Sequence, residues 1–582
     1  MPTNVTMPKL GLTMETGKIV EWKADEGSEV KQGDILLVVE TEKITYDVEA
    51  PATGILHIIV PVEGEVPVAD LIGVIAADKA EYDNVAKEGA PAAAPAAAAA
   101  PQTDASKVVP ISSAQSSTPA VDASNINLVV IGGGPGGYPA AIRAAQLGAK
   151  VTIIEKDKFG GTCLNRGCIP TKSLLQSAGM YHSAKNAGVF GVKTSGVTLD
   201  FPAVMNRKNT VVKQLVGGLG GILKSHGMKI INGTGTLIDA TTVKIIETGE
   251  EVKADKIIIA TGSVPSKVPI EGVDQDGVIT SDEALNLKKL PKSILIIGGG
   301  VIGMEFAQVL SRMDVEVTVV EMLPQILPYE DAEIVAGFTG LVKKEGVEIH
   351  TNTSVSKIAA KGKKKLVTFG DKQKEVELVL VAVGRSPYTE GLGLDKVGIK
   401  MDKNFINVNE FLETSVKGIY AIGDVIGNFM LAHVATAEGE CAAQNALGQP
   451  HRMDRRSTPR AVYTTPEVAS VGLSEADAKK QYGDLQIGRF PFVGCGKALV
   501  INETSGMVKI IADKKYGEVL GVAILGPHAT DLINEAALAI QMEATFEEIA
   551  HTIHAHPTIA ESIMEAALDV DAKAIHMPKK RK

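Results

Sequence analysis

Through residues 1–78 apolar and polar positions alternate in short runs. They are Lys18-Ile19-Val20-Glu21-Trp22, Ile35-Leu36-Leu37-Val38-Val39, Thr45-Tyr46-Asp47-Val48 and Gly54-Ile55-Leu56-His57-Ile58-Ile59-Val60, punctuated by Gly, Asp and Pro. That spacing predicts a small all-β barrel or sandwich. Over 79–124 the periodicity vanishes into Ala90-Pro91-Ala92-Ala93-Ala94-Pro95, more Ala, then Ser, Thr, Pro and Gln. Such composition predicts a flexible linker, spanning roughly 35 Å as a coil or well over 100 Å if its prolines extend it.

At Asn127 the pattern changes again. Leu128-Val129-Val130-Ile131 reads as a buried parallel strand, followed by Gly132-Gly133-Gly134-Pro135-Gly136-Gly137, a helix from Pro139 to Leu147, and a strand Val151–Ile154 ending in Glu155. The unit recurs: Ser293–Ile297, then Gly298-Gly299-Gly300-Val301-Ile302-Gly303, a helix, and Val315–Val320 ending in Glu321. In both, the acid stands 23 residues after the first glycine. Glycines of this kind let a backbone approach a pyrophosphate at a helix N-terminus, and the acid accepts from ribose hydroxyls. Two complete units predict two dinucleotides on Gly132, Gly134, Gly137 and Glu155, and on Gly298, Gly300, Gly303 and Glu321. Glu321 suits a free ribose 2′-hydroxyl and repels a 2′-phosphate, so the second nucleotide is expected to be NAD.

Three further buried strands end at ligand-facing positions: Lys256–Ile259 before Ala260-Thr261-Gly262, Leu378–Val383 before Gly384, and Gly418–Ile422 before Gly423-Asp424. From 457 onward, strands (Gly506–Ile511, Gly517–Leu525) and helices (Thr530–Glu543, Thr558–Leu568) predict an α+β domain with a mixed sheet.

Composition narrows the classes. Length 582 suggests roughly four domains. A hydrophobic fraction of 45% and a charged fraction of 22% are ordinary for globular cores. The net charge of −10 opposes a general nucleic-acid partner. No leader pattern is evident at Met1–Leu10 and no long apolar span exists outside the proline-broken tract, so a cytoplasmic, non-membrane protein is expected. The tail Lys579-Lys580-Arg581-Lys582 is expected to be solvated. The cysteines are Cys163, Cys168, Cys441 and Cys495, too few for a disulfide scaffold. Cys163 and Cys168 lie in Gly160-Gly161-Thr162-Cys163-Leu164-Asn165-Arg166-Gly167-Cys168-Ile169-Pro170-Thr171-Lys172, just after the first glycine unit. A dithiol beside a dinucleotide site points to electron exchange between sulfur and a cofactor ring. No metal site is expected, and Cys441 and Cys495 read as unreactive.

The first module resembles a lipoyl domain through Met7-Pro8-Lys9-Leu10-Gly11-Leu12-Thr13-Met14 and Glu40-Thr41-Glu42-Lys43. That resemblance implies covalent lipoate on Lys43. Residues 125–582 resemble the FAD-dependent pyridine-nucleotide disulfide oxidoreductases of the dihydrolipoamide dehydrogenase type. The motifs carrying this are the dithiol stretch, both glycine units, Ala421-Ile422-Gly423-Asp424, Met430-Leu431-Ala432-His433 and His554-Ala555-His556-Pro557-Thr558-Ile559-Ala560-Glu561.

The resemblance implies an α/β architecture with two Rossmann-like domains, FAD-binding (125–270) and NAD-binding (271–390). A central segment (391–456) returns to the flavin, and an interface domain (457–582) pairs two chains. It further implies a redox-active Cys163–Cys168 disulfide, Lys172 near the flavin paired with Glu305, and His556 oriented by Glu561 as the base that deprotonates dihydrolipoyl thiols across a homodimer. FAD contacts are implied for Lys172, Gly235, Thr261, Gly262, Ser263, Asp424, Met430, Leu431, Ala432 and His433, and an NAD contact for Gly384. A helix beginning near Pro557 is expected to bring His556 and Glu561 together, with His554 as the alternative base. The fused lipoyl domain implies work beside the acyltransferase core and decarboxylase of a 2-oxoacid (pyruvate) or acetoin dehydrogenase complex. Glutathione-type reductases use NADPH, which Glu321 disfavours. Mercuric reductase needs a C-terminal cysteine pair, which is absent after Cys495.

Overall fold

The computed structural model describes residues 2–7, 16–40, 45–62, 65–67, 70–88 and 123–578. It divides into two units, Met1–Ala114 and Gln115–Lys582.

In the first unit two four-stranded antiparallel sheets enclose a core of Val5, Ile19, Leu36, Leu56 and Ile72. Adjacent Leu36 and Leu37 are both fully buried, which strict alternation forbids. A bulge between Ile35 and Leu37 in the pairing with Thr45–Glu49 removes the conflict. Residues 79–88, expected to belong to the linker, instead form the helix Lys79–Glu88. Asp78 accepts from Glu81 N–H at its start (2.9 Å), and the Tyr82 hydroxyl donates to Glu26 (2.6 Å) across the module, so local capping and one long-range bond outweigh weak patterning. Lys43, most of the linker and the basic tail lie outside the described residues.

The second unit is built on a duplication. One all-parallel sheet orders its strands Lys229–Asn232, Lys150–Glu155, Asn127–Ile131, Lys256–Ile259 and Ile419–Ala421. The other orders them Glu348–His350, Glu316–Val320, Ser293–Ile297, Leu378–Val381 and Val278–Ile279. Each carries a three-stranded antiparallel meander, 235–253 in one and 355–376 in the other. The fifth strand comes after the second module in the first sheet but before its own glycine unit in the second. The second module is therefore inserted into the first. Its exit and return strands, Ser263–Pro265 and Arg385–Pro387, pair antiparallel with Ser263 opposite Pro387.

The helix Cys168–Lys185 places Leu174 and Ala178 in one core with Met304 and Phe306 of the inserted module, so the dithiol helix packs on the helix after the second glycine unit. The C-terminal domain's five-stranded sheet is antiparallel throughout, where a mixed one was expected. Its central strands Met507–Asp513 and Val519–Gly526 join through a short turn, and parallel pairing would need a long crossover. Among the described residues no helix is long and apolar enough to cross a membrane.

A buried charge cluster joins the inserted module to the C-terminal domain. Lys509, 1% exposed, donates to Asp331 (2.9 Å) and also pairs with Glu333 (3.0 Å) and Glu475 (2.7 Å). Burial pulls the Asp331 and Glu333 carboxyls up, but the Lys509 ammonium outweighs it and both fall below their ordinary values of 3.8 and 4.5. Burial likewise pulls Lys509 down, and its three acids carry it above 10.5. Depressed carboxyls contribute fully above 4.5 and lose that contribution as pH falls through their folded values. Lys509 contributes fully below 10.5 and loses it at higher pH. Melting temperature followed against pH is expected to fall on the acid side of this window, and the Asp331→Asn/Lys509→Met double variant to flatten that fall. An acid slope equal to wild type would exclude the cluster as the titrating unit.

Candidate active site

Both glycine loops turn on a left-handed residue at the strand end, Gly132 and Gly298, each with φ of 106°. A Cβ there would lie 2.3 Å from the Ala260 carbonyl oxygen in one and 2.5 Å from that of Ala382 in the other. Gly137 and Gly303 serve a different purpose from the loop tips. A Cβ on them would strike the Gly132 and Gly298 carbonyl oxygens at 1.8 and 2.0 Å, so they let helix pack on turn and do not line the cavity. Glu155 accepts from Gly133 N–H (2.7 Å) and Asp157 N–H (2.8 Å). Glu321 repeats the pattern with Gly299 (2.6 Å) and Leu323 (2.8 Å). Each acid thus fixes its own loop, and a carboxylate's remaining lone pairs can still receive ribose hydroxyls.

The two loops open onto one cavity of about 2270 Å³. Gly134, Gly235, Thr261, Gly262, Ser263 and Asp424 line it on the first module's side, with Met430, Leu431, Ala432 and His433 at the start of the helix Ala432–Ala446. Gly300, Glu321 and Gly384 line it on the second module's side. Cys163, Cys168, Lys172 and Glu305 stand on its wall as well. The middle glycines face open space: a Cβ on Gly300 would meet nothing within 4 Å and one on Gly134 would come no closer than 3.8 Å to Gly161. The donor set and the space fit two dinucleotides. Among the described residues no group of His, Cys, Asp or Glu could hold a metal.

Cys163 sits in the short helix Gly161–Arg166 and Cys168 is the first residue of the helix Cys168–Lys185. Asn165 Nδ2 donates to the Phe159 and Gly161 carbonyls (3.0 Å each) and stitches the intervening loop. Both cysteines are half-buried free thiols joined by a hydrogen bond. That bond lowers the Cys168 thiol to about 7 despite burial, with help from the Lys172 charge, and the same bond with burial drives Cys163 strongly up. A helix N-terminus favours the Cys168 thiolate further. Lys172, one turn along, donates to both Glu305 oxygens at 2.8 Å and lies 4.4 Å from the Tyr463 ring centroid. Tyr463 N–H donates to Glu305 in turn (3.1 Å).

His556 Nδ1 and Glu561 Oε1 are 2.9 Å apart. The helix begins at Glu561, however, not near Pro557. The Thr558 hydroxyl donates to the Ala555 carbonyl (2.7 Å) and its N–H to Glu561 (2.9 Å), a local turn that competes with helix and brings the pair together. Against burial, Thr558 N–H and His556 hold the Glu561 carboxyl below the usual range. The His556 side chain is 79% exposed and does not line the cavity of its own chain. His554 is engaged at both ring nitrogens, by Thr552 O (2.8 Å) and Glu535 (2.9 Å). Cys441 is buried and pushed up to about 11, and Cys495 is buried too.

Sequence reasoning missed Arg385 and Tyr463. Arg385 donates through Nε to Ser263 Oγ (2.7 Å), whose hydroxyl donates to Asp424 (2.5 Å), and through Nη2 to Thr162 (3.4 Å) beside the dithiol. Its position directly after Gly384 at a strand end was the available signal. Tyr463 had none, because its partners are remote in the chain.

A family model described as pyridine nucleotide-disulphide oxidoreductase matches residues 126–439, and that family's dimerisation domain matches 458–567. The chain belongs to the pyridine nucleotide-disulphide oxidoreductases. A model described as biotin-requiring enzyme, covering biotin and lipoyl domains, matches 3–83. Among individual relatives, a Bacillus subtilis protein named dihydrolipoyl dehydrogenase is 44% identical over 477 residues, covering 78% of this chain and all of that protein. Mitochondrial dihydrolipoyl dehydrogenase of Pisum sativum is 43% identical over 464 residues, covering 78% of this chain and 92% of its own. The crystal structure of LpdA from Mycobacterium tuberculosis superposes with a TM-score of 0.72 at 31% identity, covering 76% of this chain and 99% of that one.

In the reduced protein, ultraviolet absorbance is expected to report one thiolate forming with a midpoint near 7, not two. Cys168→Ser removes that step and Lys172→Met moves it upward. A midpoint unchanged in Lys172→Met would contradict the electrostatic assignment.

Proposed function

We propose that the chain is a dihydrolipoyl dehydrogenase, oxidising protein-bound dihydrolipoamide with NAD as the final acceptor. The observation that supports this best is the Cys163–Cys168 dithiol on the wall of a cavity bounded by two glycine loops, with Cys168 favoured as thiolate beside Lys172. FAD would be held by the first loop with Glu155, Ser263, Asp424 and the Met430–His433 segment, and NAD by the second loop with Glu321 and Gly384. When bound, the flavin supplies a two-electron relay between dithiol and nicotinamide.

The protein's own groups then have defined tasks. In a homodimer, His556 of one chain, oriented by Glu561, accepts a proton from a dihydrolipoyl thiol at the other chain's dithiol. The resulting thiolate attacks Cys163 Sγ of the Cys163–Cys168 disulfide, and Cys168 departs as thiolate. The second lipoyl thiol attacks the mixed disulfide, its proton passing to solvent. Lipoyl disulfide leaves, and the imidazolium returns its proton to Cys163. The dithiol substrate is oxidised and the enzyme disulfide reduced, so electrons balance. Lys172 with Glu305 keeps a positive charge beside the Cys168 thiolate. Exposed Leu538, Met542 and Ile553 give the C-terminal domain apolar surface for the pairing, which the match to a dimerisation domain supports.

The fused first module supports association with the acyltransferase core and decarboxylase of a 2-oxoacid or acetoin dehydrogenase complex. In this reading lipoyl-Lys43 is itself a substrate, raised in effective concentration by its tether. The cytoplasm is the proposed compartment, in keeping with the paucity of cysteines.

Anaerobic titration of the flavin-loaded protein with dihydrolipoamide is expected to produce a long-wavelength thiolate–flavin band that NAD, but not NADP, discharges. Discharge by NADP alone would move the reading to another disulfide reductase. His556→Gln is expected to lower the rate with dihydrolipoamide about 10²–10⁴-fold. Lys43→Arg should slow reoxidation of lipoyl groups and overall flux, and equal flux would discard the self-substrate role.

A further inference from the structure

The duplication extends one loop beyond the glycine units, and there the two modules diverge. In the first module the Gly133 carbonyl accepts from Gly160 N–H (2.8 Å), and three residues later stands Cys163. In the second, the Gly299 carbonyl accepts from Leu327 N–H (2.8 Å), and three residues later stands Glu330. Where the first module uses a glycine at φ 90°, the second uses leucine at φ 46°, a conformation L side chains avoid. Such a residue persists where its surroundings hold it.

The holding groups are on the C-terminal domain. Glu330, 5% exposed, pairs with Arg460 Nε (3.1 Å), accepts from the Ser470 hydroxyl, and its N–H donates to the Leu327 carbonyl (3.0 Å). Asp331 is seated on Lys509. Leu327, Glu330 and Arg460 all line the cavity on the second loop's side. A continuous path of bonds thus runs from the C-terminal sheet through Glu330 to Leu327 N–H and the Gly299 carbonyl.

We infer that Glu330 and Arg460 are positioning residues for the pyridine nucleotide: their buried pair sets the segment that holds the second glycine loop in its binding conformation. In the first module the corresponding loop carries the dithiol, so there the chemistry itself occupies the place of the clamp. The inference rests on the second glycine loop being the NAD site.

The test uses the flavin-loaded full chain. Equilibrium dialysis measures NAD binding to wild type, Glu330→Gln and Arg460→Lys, with melting temperature and the dihydrolipoamide half-reaction in parallel. Both variants should bind NAD about tenfold more weakly. The KM for NAD should rise more than kcat falls, with reduction of the disulfide by dihydrolipoamide unchanged. Lys361→Met, which removes an exposed ion pair with Glu375 in the same module but lies outside the clamp, should bind as wild type. Folded variants with wild-type NAD affinity, even at lowered melting temperature, would overturn the inference. If Glu330→Gln fails to fold, Arg460→Lys decides alone, since it keeps the charge. Wild type failing to bind NAD would instead remove the reading of the second loop.

Discussion

The ion pair between Lys172 and Glu305 is the constraint on which the arrangement around the dithiol depends. Glu305 has a side chain only 4% exposed, and a carboxylate so deeply buried requires a cation and hydrogen-bond donors. It obtains both, from Lys172 on the dithiol helix and from Tyr463 N–H of the C-terminal domain. Three parts of the chain therefore meet at one carboxylate. Removing one partner of such a buried pair typically costs about 3–5 kcal/mol, far more than an exposed pair contributes. The same pair delivers an ammonium group to the side of Cys168, so packing and thiolate chemistry share one cause.

Around that point the protein uses one βαβ design twice and assigns the copies different work. Strand order, glycine loop, loop-holding acid and meander repeat, because each solves the same problem of bringing backbone N–H groups to an anionic ligand. The copies part at the loop after the second strand. In one copy that loop carries a dithiol at a helix N-terminus, and in the other a pair of acids docked into the C-terminal sheet. Insertion of the second copy between Ser263–Pro265 and Arg385–Pro387 turns the two loops toward a shared cavity. It also puts Arg385 between Ser263 and Thr162, tying the return strand to the dithiol segment.

What was legible in the sequence follows from the range of the physics involved. Both glycine units, their acids and the strands preceding them were readable because positive φ, close backbone approach and continuous apolar runs buried on both faces act within some thirty residues. The helix Lys79–Glu88 escaped because its stabilising contact, Tyr82 to Glu26, spans 56 positions and leaves no periodic trace. The start of the last helix was misplaced for a local reason: a threonine turn at Thr558 competes with helical hydrogen bonding.

By itself the sequence determined the modules, the pairing of a dithiol with a phosphate-binding loop, and the candidate base with its carboxylate, all set by neighbours along the chain. Tertiary structure alone decided that Arg385 meets Ser263 across 122 residues and Glu330 meets Ser470 across 140, and it brings Lys172 to Glu305 across 133, a pair that only the family resemblance implied. It also set His556 facing solvent, away from the dithiol of its own chain. These pairings arise from burial: once the sheets close, each enclosed charge must find whichever partner the packing brings within reach, and no local pattern names that partner in advance.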